Sequence, residues 1–163
     1  MRRTFYEDYA IGDEFITPAR TVTEADVTIF AALSGDYNRL HTDAEYAAQG
    51  PFGERIAHGL LGLSIVIGLA YRTEIDPDGA VAFLGLSWKF SAPITFGDTI
   101  HAIIQISSMR PTRAPDRGII VQATQLLNQR GEIVQAGELT MMLKRRPTSD
   151  PWPNGRPPLR AGE

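Results

Sequence analysis

Cysteine is absent from the 163-residue sequence, which excludes a disulfide framework, thiol nucleophiles and thiolate zinc sites together. Histidine is scarce: His41, His58 and His101 are the only three imidazoles available for acid–base chemistry. There is no excess of positive charge, since 16 Lys and Arg stand against 19 Asp and Glu for a net charge of −3. A mildly acidic chain has no global field with which to hold nucleic acid or an anionic membrane, so neither is expected as a partner. Long apolar runs are missing as well. The longest, Gly59 to Ala70, falls well short of the roughly 20 residues that cross a bilayer and is expected to be a buried helix. The opening Met1-Arg2-Arg3-Thr4-Phe5-Tyr6-Glu7-Asp8 turns acidic and aromatic before any apolar stretch, so no secretory signal is expected and a cytoplasmic location is. What the chain does contain is 43% hydrophobic and only 21% charged residues, at a length that suits one domain with a sizeable core.

Asp13 to Val22 has strand character, and Thr23 then stands as an N-cap with Asp26 three residues on and Val27, Phe30 and Ala31 at helical spacing. That helix is expected to end near Ser34-Gly35. Gly35 to Asp43 is rich in turn formers, Asp43 caps a short helix through Ala48, and Gly50-Pro51-Phe52-Gly53 breaks the chain, so this segment is expected to be mostly loop. From Gly59 to about Tyr71 the sequence is apolar on every face, which predicts a helix wrapped on all sides. Beyond Asp76-Pro77-Asp78-Gly79 come four strand candidates, Val81–Phe90, Thr99–Ser107, Gly118–Asn128 and Glu132–Lys144. Asn128-Gln129-Arg130-Gly131 supplies a hairpin turn, and a slip of the apolar phase at Gly137 predicts a bulge there. Five prolines after Arg146 set residues 147–163 apart as a flexible tail or extended arm, leaving residues 1–146 as a single domain. The order of elements predicts an α+β fold in which an antiparallel sheet wraps around one central apolar helix, the hot-dog arrangement.

Residues 31–43 run Ala-Ala-Leu-Ser-Gly-Asp-Tyr-Asn-Arg-Leu-His-Thr-Asp, and residues 44–64 Ala-Glu-Tyr-Ala-Ala-Gln-Gly-Pro-Phe-Gly-Glu-Arg-Ile-Ala-His-Gly-Leu-Leu-Gly-Leu-Ser. This run resembles the hydratase motif of the MaoC-like dehydratases, the (R)-specific enoyl-CoA hydratases of hot-dog fold. A weaker likeness continues through Phe90-Ser91-Ala92-Pro93-Ile94-Thr95-Phe96-Gly97-Asp98-Thr99 and stops before the tail. Adding water across the double bond of an enoyl thioester needs a base for the water, a proton donor to the α-carbon and stabilisation of the thioester oxygen. Asp36 and His41 supply the first two if their loop folds back on itself, and the resemblance implies that they form the catalytic dyad. It further implies that Asn38 orients the loop or the bound water and that the Gly59 N–H at a helix start is the oxyanion donor. His58 is read as holding the loop or that helix start, so that Asn38 and His58 stand as substrate-binding or loop-orienting residues. Glycine at 59 would let the substrate approach the backbone closely.

The resemblance therefore implies a hydratase or dehydratase interconverting 2-enoyl-CoA and (R)-3-hydroxyacyl-CoA thioesters. Coenzyme A is expected only as part of the substrate with no separate cofactor, and a homodimer or higher homo-oligomer with its edge strands covered is expected. A metal site built from His41, Asp43 and His58 is set aside, because His-x-Asp recurs by chance and this hydration needs no metal. The glycines at 59, 62 and 68 miss both the phosphate-loop and the dinucleotide spacings, and His101 is expected to be a bystander in a strand. Three departures from the family pattern stand out: Arg39 replaces a common Pro, Leu60 a common Met, and Ile67 a Ser that assists the oxyanion contact. Two rivals share the fold, a thioesterase in which a carboxylate directs water to the carbonyl carbon and a non-catalytic acyl-thioester-binding subunit.

Overall fold

The structure is a computed structural model and describes residues 2–147, so the proline-rich tail, apart from Pro147, lies outside the described residues. Six strands form one antiparallel sheet: β1 (Glu14–Ile16), β2 (Arg20–Thr21), β3 (Ala80–Phe90), β4 (Thr99–Pro111), β5 (Arg117–Leu127) and β6 (Ile133–Lys144). Their order is β1-β4-β5-β6-β3, with β2 also on β4, so among the described residues β3 is one free edge of the sheet. The helices are α1 (Glu24–Ser34), α2 (Arg39–Thr42), α3 (Ala44–Ala48) and α4 (Gly59–Ala70). A sheet wrapped around the apolar α4 is the expected hot-dog arrangement.

Local chemistry accounts for most boundaries. Thr23 Oγ1 accepts from the Asp26 N–H while the Asp26 carboxylate accepts from the Thr23 N–H, a reciprocal box that starts α1. Gly35 ends the helix in the left-handed region, at φ 77°. In β4 the alternating Ile100, Ala102, Ile104 and Ile106 are at most 1% exposed and face α4 with Val66 and Leu69 in one core. The Asn128–Gly131 turn joins β5 to β6, with the Gly131 N–H donating to the Asn128 carbonyl at 3.0 Å.

Several expectations need correction. The strand over Asp13–Val22 is split into β1 and β2, because Pro18 lies between them and cannot donate to the ladder on β4. β4 runs past Ser107 to Pro111, with Ser107 as an extra residue where the register steps from Ile106↔Gln122 to Ser108↔Val121. The segment 35–53 is less loop-like than expected, because Arg39–Thr42 forms the one-turn α2. No bulge sits at Gly137, which pairs in register with both Trp88 and Thr124. The slip of phase is real but lies at Val134, skipped where the ladder steps from Leu126↔Gln135 to Leu127↔Ile133. Gly137 is required for a different reason: a Cβ there would lie 2.0 Å from the Ser87 carbonyl oxygen of β3. Finally, α4 is not wrapped on all sides, since Leu60, Ser64, Ile67 and Gly68 leave an exposed stripe along one face.

Candidate active site

The segment between α1 and α4 folds back on itself through short caps. Just past the left-handed Gly35, Asp36 donates its N–H to Ser34 Oγ at 3.2 Å and accepts the Asn38 N–H on Oδ1 at 3.2 Å. Asn38 caps α2, its Oδ1 accepting from the Leu40 N–H at 3.0 Å, and this single turn carries His41 round to face Asp36. The returning strand of chain is tied to α2 by the Ile56 N–H, which donates to the Leu40 carbonyl at 3.2 Å. Two residues later His58 occupies the N-cap position of α4.

Asp36, His41 and His58 meet there, with one ligand-capable atom from each lying within 4.8 Å of the others. The imidazoles of His41 and His58 stack with ring centroids 3.8 Å apart at 32°. Backbone carbonyls fix both tautomers, because a carbonyl can only accept. His41 Nδ1–H donates to the Ile56 carbonyl at 2.8 Å, so a neutral His41 presents its lone pair on Nε2. His58 Nε2–H donates to the Asp36 carbonyl at 2.9 Å and lies 4.0 Å from Asp36 Oδ2. His58 is 2% exposed, stacks on Phe30, and leaves Nδ1 buried without a partner among the described residues; the Asp36 side chain is 53% exposed. One face of the pair is therefore dry and fixed, and the other opens to water.

With His41 Nδ1 and His58 Nε2 both holding protons toward carbonyls, the neutral rings carry their lone pairs on His41 Nε2 and on the buried His58 Nδ1, with the exposed Asp36 carboxylate in the same cluster. Asp43 takes no part in the cluster. Its carboxylate caps α3 through the Tyr46 N–H at 2.9 Å and bonds Arg39 Nε at 3.0 Å, with both contacts holding its pKa below the usual carboxylate value. Arg39, which also lies over the Tyr46 ring, is thereby engaged within the loop.

Gly59 is the first residue of α4, and its N–H has no acceptor among the described residues. The Phe90 ring lies close to it, since a Cβ at Gly59 would lie 2.8 Å from that ring. Two residues that the sequence reading passed over stand next to it. Gln135 of β6, 2% exposed, donates Nε2–H to the Gly59 carbonyl at 3.1 Å, and Trp88 of β3 donates its indole N–H to Gln135 Oε1 at 3.0 Å. The available signal was an amide on the strand face that continues with Leu139 and Leu143. His101 is apart from the cluster, directed away from the face that Ile100 and Ala102 bury. Along α4, Val66, Ile67, Ala70 and Tyr71 join Phe83 and Met141 in lining an apolar cavity of about 310 Å³.

Comparison with known proteins identifies the family. A family model described as MaoC like domain matches residues 7–125. The chain is 32% identical over 145 residues to an (R)-specific enoyl-CoA hydratase of Rhodospirillum rubrum, covering 87% of this chain and 93% of that protein. It is 38% identical over 111 residues to Protein MaoC of Klebsiella aerogenes, covering 68% of this chain but only 32% of that longer protein. Among solved structures, a monoamine oxidase regulatory protein from Archaeoglobus fulgius superposes with a TM-score of 0.83 at 32% identity, covering 90% of this chain and 98% of that one. With the family model spanning most of the domain and a relative of this identity aligned nearly end to end, the chain belongs to the MaoC-like dehydratase family.

Proposed function

We propose that the protein interconverts 2-enoyl-CoA and (R)-3-hydroxyacyl-CoA thioesters by adding or removing water. The observation that carries this reading is the tautomer of His41: its Nδ1–H is spent on the Ile56 carbonyl, so the neutral ring carries its lone pair on Nε2, in one cluster with the Asp36 carboxylate. In hydration, Asp36 orients the water and His41 Nε2 takes one of its protons while the hydroxyl bonds to the β-carbon. The π electrons move toward the thioester oxygen, where the Gly59 N–H and the positive end of α4 hold the developing enolate. The proton then passes from the Asp36 and His41 pair to the α-carbon, and the carbonyl re-forms with the enzyme unchanged. Atoms balance with water and the thioester alone, so coenzyme A enters only as part of the substrate and no further cofactor or metal is required. An acyl chain lying along α4 reaches the cavity at Val66 and Ile67 after about 12 Å, at 1.5 Å of rise per residue.

The functional unit in this reading is a homodimer. The β3 edge offers an unpaired ladder flanked by exposed Val81, Phe83, Leu84, Leu86 and Phe90, and the exposed stripe of α4 adds Leu60 and Ile67. A second copy paired along β3 would cover both. The experiment that tests the activity offers a panel of enoyl-CoA thioesters and follows loss of the conjugated chromophore and release of free thiol in parallel. Chromophore loss without thiol is expected. Thiol release would make the protein a thioesterase, and neither signal would leave it a binding subunit.

A further inference from the structure

We infer that Gln135 is a positioning residue for the thioester-oxygen site: its amide, held by Trp88, fixes the first turn of α4 and with it the Gly59 N–H. The inference rests on the hydratase reading and adds to it two residues that lie outside the Asp36 and His41 cluster.

The orientation of the amide follows from chemistry alone. An indole N–H only donates, so its bond at 3.0 Å identifies Oε1 as the acceptor and leaves Nε2 to donate to the Gly59 carbonyl at 3.1 Å. Packing does not call for an amide here. Gln135 is 2% exposed, and the same face of β6 continues with Leu139 and Leu143, so a Leu would fill the place without two polar groups to satisfy. Room for the amide comes from Gly62, where a Cβ would lie 2.5 Å from Gln135 Nε2. Three residues of three elements are thus matched to one bond.

That bond falls where α4 needs it. A helix start is ordinarily held by a side-chain cap, but His58 makes none because its ring is turned to Asp36 and His41. Two contacts from the sheet bear on the first residue of the helix: Gln135 donates to the Gly59 carbonyl, and the Phe90 ring lies against Gly59. An oxyanion donor acts through geometry, and a displacement of about 1 Å costs up to 100-fold in rate. Loosening the first turn therefore lowers turnover while leaving the distant parts of the thioester bound as before.

Two variants and two measurements test this. Gln135→Leu keeps the volume and removes both bonds, and Trp88→Phe keeps the ring and removes the indole donor. Hydration of crotonyl-CoA is followed together with the infrared carbonyl stretch of bound butyryl-CoA carrying ¹³C at the thioester carbon, a saturated probe that cannot be hydrated. Wild type is expected to lower that stretch on binding. Gln135→Leu should lose more than half of the lowering and about tenfold in kcat with KM within about twofold, Trp88→Phe should lose less of each, and the double variant should be no worse than Gln135→Leu alone. An unchanged carbonyl stretch in both variants, whatever their melting temperatures, makes the bond purely structural and overturns the inference. A wild type that neither hydrates crotonyl-CoA nor shifts the butyryl carbonyl overturns the hydratase reading and the inference with it. A wild type that does both, matched by Gln135→Leu in both, overturns the inference alone.

Discussion

At His41 a single hydrogen bond to a backbone carbonyl decides which nitrogen is free, and the near-isosteric substitutions His41→Gln and Asp36→Asn probe that arrangement without disturbing the core. Each is expected to lower kcat/KM for hydration more than tenfold, a loss above about 1.4 kcal/mol, while melting temperature moves by no more than about 3 °C. Retention of more than a tenth of the activity by either variant removes that residue from the mechanism. Ile67 presents the opposite case. It stands eight residues beyond Gly59, about 12 Å along α4, and lines the apolar cavity. Ile67→Ser should therefore change kcat less than about tenfold and shift chain-length preference more than rate. Steady-state kinetics on short and long enoyl-CoA substrates decide, and a 100-fold gain in kcat on every length would show that a missing hydroxyl limits the oxygen site.

Elements here are held by contacts that a single strand or helix does not reveal. β6 pairs with β3 at Gly137 so closely that a Cβ would sit 2.0 Å from the Ser87 carbonyl and 2.6 Å from the Trp88 ring. Backbone cannot retreat as a flexible side chain does, so Gly137→Ala is expected to cost about 3 kcal/mol or more in denaturant unfolding. A cost below about 1 kcal/mol would mean that β3 shifts to make room. The same pairing places Trp88 directly opposite Gly137 and next to Gln135, which is how one strand pair reaches the start of α4.

At the scale of the whole molecule the decisive feature is the side that the described residues leave uncovered, the β3 edge and the α4 stripe. Scattered apolar residues are normal on a surface, but an unpaired edge strand with exposed Val81, Phe83, Leu84 and Leu86 is a template for another chain. Light scattering at micromolar concentration should give the mass of a dimer or a multiple of it. Leu86→Glu should shift that mass toward a monomer, since a carboxylate buried in a strand interface lacks a partner. A monomeric wild type would contradict the assembly while leaving the chemistry of a single chain to be tested separately.

Much of this was legible in the sequence because the deciding interactions are local. Thr23 with Asp26, Asp43 before Ala44, the Asn128–Gly131 turn and the alternation through Ile106 each act within a few residues, and the structure places α1, α3, the hairpin and β4 accordingly. The run from Ala31 to Ser64 likewise pointed to Asp36, His41 and Gly59 by family resemblance. The rest depends on contacts between distant segments. Gln135 and Gly59 lie 76 residues apart, and no pattern in β6 alone tells a buried amide with a partner from a misplaced one. The bulge falls at Val134 instead of Gly137 because register is set by β5, and Gly137 is fixed by the approach of β3. The tautomer of His41 was equally hidden, since its proton is assigned by a carbonyl that the fold returns to it from Ile56. Sequence determined which elements form and which residue types stand ready for chemistry; the tertiary structure decided which nitrogen is free, which glycine is crowded and which face of α4 is left uncovered, because each of those depends on a neighbour that only packing supplies.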